Sequence, residues 1–476
     1  MVKNLKSITL KGIQAELLHI EIDIRVGIGF KIIGRIDQSM RESGDRIYAA
    51  ISNSNFKFPG RKITINLAPA RTLKKGSQTD LAISLGILQV SKQIQIKNLS
   101  KFLIIGECSL DGSIKAVPGV LAAARICKLN RLKGLVLPYE NLNQAKQVSG
   151  IRIIAVKNLN DCIDKLGKQL PPINKRPKLK TSNYSGPDFS TITGCLAAKR
   201  SLQIAHCGRH HILLYGDPGV GKSMLAKNSQ FMLPNLHEEE ALQLNQLESL
   251  GKANSEISYR PPFREPHHQI SLTSLIGGGR YPRPGELSLA HKGILFLDEL
   301  NEFPKSHIEA LRQVLEDHKI TINRLEQTAE YPCDFQLIAA LNPKDNRDKF
   351  QCSKAIIDRI DLFISVHKPS LKNFRMKEAI KDESNYSIQR ARKIQFKRYQ
   401  REQFKYNARI PNHLIQKYCE VSTSDQQQAN QLFDQLELSP RVYHKILRVS
   451  RSIADLAETP KIRIDHIREA LAYRQV

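Results

Sequence analysis

The sequence predicts an α/β protein, a phosphate-binding-loop core with a helical lid, preceded by a separate α+β unit. Three observations carry that prediction. Gly216-Asp217-Pro218-Gly219-Val220-Gly221-Lys222-Ser223 fills every fixed position of the pattern G-x-x-x-x-G-K-[ST]. Its setting is the required one, with Ile212-Leu213-Leu214-Tyr215 reading as a buried strand before it and Met224-Leu225-Ala226-Lys227 as the first turn of a helix after it. The apolar pattern also changes along the chain, from β-branched strands alternating with helical stretches to helical periodicity at the end.

Each part of the loop has a physical task. Glycines let the backbone wrap a phosphate with no Cβ in the way, and free N–H groups at a helix N-terminus supply positive potential. Lys222 would reach the β/γ-phosphates as a point charge, and Ser223 would offer its hydroxyl to Mg2+. The loop predicts a bound nucleoside triphosphate.

Three further segments extend the constellation. Gly293-Ile294-Leu295-Phe296-Leu297-Asp298-Glu299-Leu300 is an apolar strand ending in two acids. Asp298 would hold Mg2+ through its water shell, and Glu299 would orient and polarise the attacking water. A third strand, Phe335 to Leu341, ends at Asn342-Pro343. An amide there could sense the γ-phosphate, although Asn before Pro is also a routine turn pair. In Ile356-Ile357-Asp358-Arg359-Ile360-Asp361-Leu362 a single Arg sits among acids, as an arginine finger or as a local ion-pair partner.

The chain has 476 residues, room for two or three domains, and 41% are apolar, which argues against wholesale disorder. Lys and Arg outnumber Asp and Glu by 73 to 46, for a formal charge of +27. That excess points to a polyanionic partner, although a general preference for lysine would also produce it. Eight cysteines contain no C-x-x-C pair, which argues against a zinc ribbon or disulfide framework and fits a reducing compartment. No stretch resembles a signal peptide or approaches the ~18 apolar residues of a membrane span, so a cytoplasmic location is expected.

Residues 1–168 read as one domain, with strands at Ile8-Thr9-Leu10 and 62–67 and helices at 80–90 and 119–127. Residues 169–186, with several prolines and lysines, read as an extended linker. The nucleotide-binding segment then covers 187–366, and 367–476 reads as helical, with Ile446, Val449, Ile453 and Leu456 on one stripe. Residues 390–409 set eight basic side chains, among them Arg398 and Arg401, against the single acid Glu402, with four aromatics interleaved. Two readings stay open: a basic helix facing nucleic acid, or a lid helix whose aromatics pack inward.

Together these residues resemble the AAA+ ATPases. The stretches Phe263-Arg264-Glu265-Pro266-His267-His268-Gln269-Ile270-Ser271, Leu275-Ile276-Gly277-Gly278-Gly279 and Pro284-Gly285-Glu286-Leu287-Ser288-Leu289-Ala290-His291 resemble the magnesium-chelatase type. With Asn66-Leu67-Ala68-Pro69-Ala70 and the segment from Leu447 to Leu456, the resemblance narrows to the ComM/YifB family and covers nearly the whole chain. The resemblance implies ATP and Mg2+ as cofactors, a homo-hexameric ring, DNA as partner (single-stranded or branched), no membrane, and branch migration during natural transformation. It also implies that Arg441 is the lid's sensor-2 arginine, and that 319–324 is one arm of a hairpin projecting into the pore. A magnesium-chelatase-like motor acting on a protein partner is the alternative.

The first domain resembles the Lon-type protease domain through Lys74-Lys75-Gly76-Ser77-Gln78-Thr79-Asp80 and Gly106-Glu107-Cys108-Ser109-Leu110-Asp111-Gly112. That fold activates a serine with a neutral lysine. Here those two positions fall on Gln78 and Leu121, which supply neither nucleophile nor base. The domain is therefore expected not to cleave peptides but to contact DNA or neighbouring subunits. The chain departs from the family in three places. The cysteine-rich insertion expected after Asn342 is absent, with only Cys352 nearby. The presumed pore hairpin carries Glu326 and Glu330 where basic side chains are expected. Gly34-Arg35-Ile36 replaces a Gly-Leu-Pro stretch.

Overall fold

A computed structural model describes residues 3–70, 73–74, 76–168, 192, 194–250, 258–279, 282–324, 327–342, 354–368 and 384–474. The expected linker at 169–186, the residues following Asn342 and the hairpin tip with Glu326 lie outside the described residues.

The first sheet is mixed. Its strands are β1 (Lys3–Lys11), β2 (Gln14–Arg25), β3 (Gly29–Ile33), β4 (Lys62–Ala68), β5 (Phe102–Ile104), β6 (Gly134–Pro138) and β7 (Ile153–Val156). They lie in the order β3-β4-β2-β1-β5-β6-β7. β2 runs antiparallel to both β1 and β4, β3 pairs parallel with β4, and β1, β5, β6 and β7 form a parallel run. In β4, Ile63, Ile65 and Leu67 are buried while Lys62, Thr64 and Asn66 are not, the alternation of a sheet with one covered face. The covering helix is α1 (Asp80–Val90), over the residues expected for it. Residues 80–88 are all buried, because Gly86 lets the helix approach the sheet: a Cβ there would come within 2.3 Å of Ile22 and 2.7 Å of Leu5. The other expected helix is α2 (Val120–Leu129).

The second sheet is wholly parallel. Its strands are β8 (Ile212–Tyr215), β9 (Phe263–Arg264), β10 (Ile294–Leu297), β13 (Gln336–Leu341) and β14 (Leu362–Ser365), in the order β9-β10-β13-β8-β14. Both faces are covered, which is why the central strands read as unbroken apolar runs. Between β10 and β13 the chain forms the antiparallel hairpin β11 (Lys319–Arg324) and β12 (Gln327–Pro332), as expected for 319–324. The surrounding helices are α3 (Leu196–Gly208), α4 (Lys222–Ser229), α5 (Glu238–Glu248) and α6 (Lys305–Asp317).

The lid contains α7 (Ser384–Arg398), α8 (Pro440–Leu456) and α9 (Ile464–Ala472). Ser439 caps α8 by accepting the Val442 N–H, with Pro440 in the first turn, where its missing N–H costs nothing. Ile446, Val449 and Ile453 then bury into one core with Ile212, Leu214, Phe296 and Ile338 of the sheet, and Leu456 packs at its edge. Lid and sheet therefore share a core.

The basic segment is part of this lid. Arg392 is buried and donates to the His206 carbonyl at 2.8 Å. Arg398 forks onto the buried Asp455 at 2.9 and 2.5 Å, where Arg451 and Asn407 also converge. Arg409 pairs with Asp334 at 3.0 Å, and Tyr399 and Tyr406 are buried. Of the two open readings the inward-packed lid helix is the one observed. Reversing the charge of Arg398 would set a second carboxylate against the buried Asp455 and so probe the lid, not nucleic-acid binding.

Near the lid joint, His206, His211 and His291 are buried and His318 half-buried, and all four are kept neutral. Burial lowers His206 and His318 to about 4, and His211 and His291 to about 3. An unfolded histidine takes up its proton near pH 6.5, so the unfolded chain binds more protons below that pH and stability falls with it. Asp80, raised to about 6 by burial, opposes with a single group. Melting temperature is expected to hold above pH 6.5 and drop steadily from there toward pH 4. A flat profile over that window, measured by circular dichroism, would refute this account.

The two sheets meet at a defined joint. Gly12, in the β1–β2 turn, lies where a Cβ would be 3.1 Å from the Glu330 carbonyl of the hairpin. Gln246 of α5 donates to the Ile13 carbonyl and accepts from Arg125 of α2 at 3.2 Å, while Tyr259 donates to Gln147 at 3.0 Å.

Candidate active site: the phosphate loop and the far end of the sheet

The loop leaves the C-terminal end of β8. Gly216 (φ +153°) packs so closely on β14 that a Cβ would meet the Val366 carbonyl at 2.3 Å, and Gly221 (φ +97°) caps α4. The helix starts at Lys222, two residues earlier than the run Met224–Lys227 suggested. Lys222 is buried and donates to the carbonyls of Gly216 and Asp217 at 2.7 Å each. Burial lowers its ammonium below the ordinary value, against the pull of Asp298 and Asp217.

Asp298 and Glu299 follow β10, two strands away in the sheet. Parallel alignment brings both strand ends to one edge, and the Ser223 hydroxyl donates to Asp298 Oδ2 at 2.6 Å. A hydroxyl and a carboxylate side by side are the hard oxygen donors Mg2+ takes, with phosphate and water completing its shell. Among the described residues no group of three or more His, Cys, Asp or Glu side chains could hold a metal. The residues present, Ser223 and Asp298, fit a magnesium–nucleotide. Glu299 stands in the left-handed region (φ +51°), its N–H donating to Asp298 Oδ1 at 3.0 Å and its side chain 47% exposed. Asn342 follows β13, which runs between β10 and β8, and the Leu341 carbonyl at the strand's end accepts the Gly216 N–H at 3.3 Å. Lys222, Ser223, Asp298, Glu299 and Asn342 thus gather at one edge.

Arg359 and Arg441 do not join them. Arg359 precedes β14, whose Leu362 pairs with Ile212 and whose Ser365 pairs with Tyr215. It therefore lies toward the N-terminal end of the sheet, and the strand that follows it climbs about 13 Å, at ~3.3 Å per residue, before it reaches the level of the loop. Its guanidinium pairs with Glu316 of α6. Arg441 reaches the same end, 3.8 Å from Asp358. Burial lowers the Arg359 pKa, and the charges of Arg441 and Arg312 push in the same direction.

One neighbour of the site was not assigned a role from sequence. His268 Nδ1 lies 3.6 Å from Glu299 Oε2, its ring edge-on to Phe303. The pair His267-His268 was visible in the motif, but nothing in the linear pattern connects it to an acid thirty residues on. In the first domain, Gln78 and Leu121 are both buried, and Ser77 donates its hydroxyl to the Glu107 carboxylate.

Residues 188–374 match the family described as "Magnesium chelatase, subunit ChlI". Residues 20–141 match "Subunit ChlI of Mg-chelatase", and 382–474 match "Magnesium chelatase, subunit ChlI C-terminal". The chain is 36% identical to "Competence protein ComM" of Haemophilus influenzae, over 97% of this chain and 95% of the relative. It is 33% identical to "Uncharacterized protein YifB" of Escherichia coli, over 98% and 95%. A shorter similarity, 27% identity over 42% of this chain, is to "Lon protease 2" of Bacillus subtilis.

Proposed function

The chain belongs to the ComM/YifB family of magnesium-chelatase-type AAA+ proteins, with a Lon-protease-like α+β domain before the core, and from that premise we propose that it is an ATP-hydrolysing ring motor acting on DNA. The motor is a homo-hexamer that drives branch migration of recombination intermediates during natural transformation, and it works in the cytoplasm. One observation carries the reading above the others: the complete loop-side group, Lys222, Ser223, Asp298 and Glu299, at one end of a parallel sheet, with Arg359 at the other. A site divided in that way is complete only where two subunits meet. Among the described residues no helix is long and apolar enough to cross a membrane.

In this reading the loop amides and Lys222 hold the β- and γ-phosphates, and Ser223 and Asp298 hold Mg2+, which supplies charge neutralisation at the phosphates. Glu299 orients the attacking water and polarises it, while Asn342 reads the γ-phosphate from the neighbouring strand. Arg359 and Arg441 belong to the next subunit's site. The relative named a competence protein supports DNA as the partner, as does the +27 charge.

The test is ATP hydrolysis with and without single-stranded, duplex and four-way-junction DNA. Stimulation by DNA is the expected result. Hydrolysis indifferent to every DNA structure would favour a chelatase-like motor acting on a protein partner. A second expectation concerns the first domain. With Gln78 and Leu121 at the dyad positions and Ser77 held by a carboxylate that cannot act as a neutral lysine does, it is not a protease. ATP-dependent degradation of an unfolded substrate, abolished by Ser77→Ala, would overturn that.

A further inference from the structure

The charge excess is unevenly distributed. Residues 1–168 contain 27 of the 73 Lys and Arg but only 12 of the 46 Asp and Glu. Within that domain, 81–106 and 112–139 contain no acid at all. These two acid-free stretches meet at the N-terminal ends of β5 and β6, where Lys101 immediately precedes one strand and Lys133 the other. Lys6 of β1 and Arg131, just beyond α2, complete a cavity of about 440 Å3 lined also by Asn98, Asn130 and Leu132.

The lining decides the chemistry. Four cations and two amides surround the space, no carboxylate lines it, and among the described residues none of the four cations is paired with one. Like charges held together repel, and here the usual relief by a neighbouring Asp or Glu is absent. A cavity of this size that took an apolar small molecule would be lined mostly by apolar and aromatic groups. This one offers donors and positive charge, which suit phosphate oxygens. Its place also leaves it accessible. The joint to the ATPase uses Gly12, at the opposite end of β1, and the dyad positions lie beyond the opposite end of β5, where Gly106 donates to the Gln78 carbonyl at 2.9 Å.

We propose that the pocket formed by Lys6, Lys101, Arg131 and Lys133 is a phosphate-backbone binding site for DNA on the first domain. The proposal rests on the DNA-motor reading and deepens it. Four clustered positive charges match phosphate in any sequence, so the grip is on the backbone. The first domain then holds the nucleic acid from a body anchored, through Gly12 and Ile13, to the hairpin and to α5 of the ATPase.

The experiment compares full-length wild type, the triple variant Lys101→Gln/Arg131→Gln/Lys133→Gln, and a control triple, Lys31→Gln/Arg61→Gln/Lys62→Gln. The control removes the same charge from exposed positions on β3, β4 and the residue before β4. Affinity for a labelled duplex is read by anisotropy over a salt series, with ATP present. Each lost phosphate contact lowers the log–log salt slope by about 0.9, so the pocket variant is expected to lose about 3 in slope and at least tenfold in affinity near 0.1 M salt. The control is expected to stay near wild type. Equal losses in both variants, or none in the pocket variant, overturn the site while leaving the motor reading intact. Wild type that binds no DNA overturns both. Inorganic phosphate serves as the small-anion probe: if it binds wild type and not the pocket variant while DNA affinity is the same in both, the site takes a free anion and not a backbone.

Discussion

Replacing Glu299 by Gln is expected to leave nucleotide binding in place and to slow turnover roughly 10²–10⁴-fold, the usual worth of a positioned base. The substitution keeps the shape of the side chain and the N–H donated to Asp298, and Glu299 is half exposed, so the fold has little reason to change. The groups that hold phosphate and metal, Lys222, Ser223 and Asp298, remain as they were. What is lost is the negative charge that polarises water beside the loop. Lys222→Ala makes the contrasting variant, since it removes the charge nearest the phosphates and is expected to fail at binding itself. Fluorescent-nucleotide binding and steady-state hydrolysis, measured on both, separate the two roles. Turnover in Glu299→Gln equal to wild type would sink the assignment.

How far such roles were legible in the sequence depended on distance along the chain. The phosphate loop was fully legible because its eight residues set their own backbone, and only the start of α4 was misplaced, by two residues. The meeting of Ser223 with Asp298 was legible from two motifs, because an apolar strand ending in acids beside a loop-bearing strand has few ways to pack. The basic segment was not legible. Its composition was also consistent with a nucleic-acid face, and what decides is Asp455, 57 residues beyond Arg398, together with Asp334, 75 residues before Arg409. The approach of His268 to Glu299 and the joint from Gln246 to Ile13 likewise depend on how distant strands and helices align. Arg359 and Arg441 were picked out by motif, yet that they share the far end of the sheet follows only from the parallel pairing of β8 with β14.

That placement leads to the second large effect. Arg359→Ala is expected to reduce ATP hydrolysis by roughly 10³–10⁵, the range an arginine finger supplies. The defect should belong to the neighbour's site, because Arg359 stands at the opposite end of the sheet from its own Lys222. Its present partner, Glu316, is half exposed and can release it toward a more strongly anionic γ-phosphate. The alternative is a purely structural ion pair within one subunit, and mixing distinguishes them. In a ring built head to tail from equal amounts of Arg359→Ala and Lys222→Ala subunits, about one interface in four joins an intact loop to an intact arginine. Activity should therefore reappear in the mixture although each parent is inactive. Melting temperatures of the parents near wild type would establish that both are folded. If folded parents mix without any recovery, Arg359 is a local ion-pair partner and the divided site is refuted.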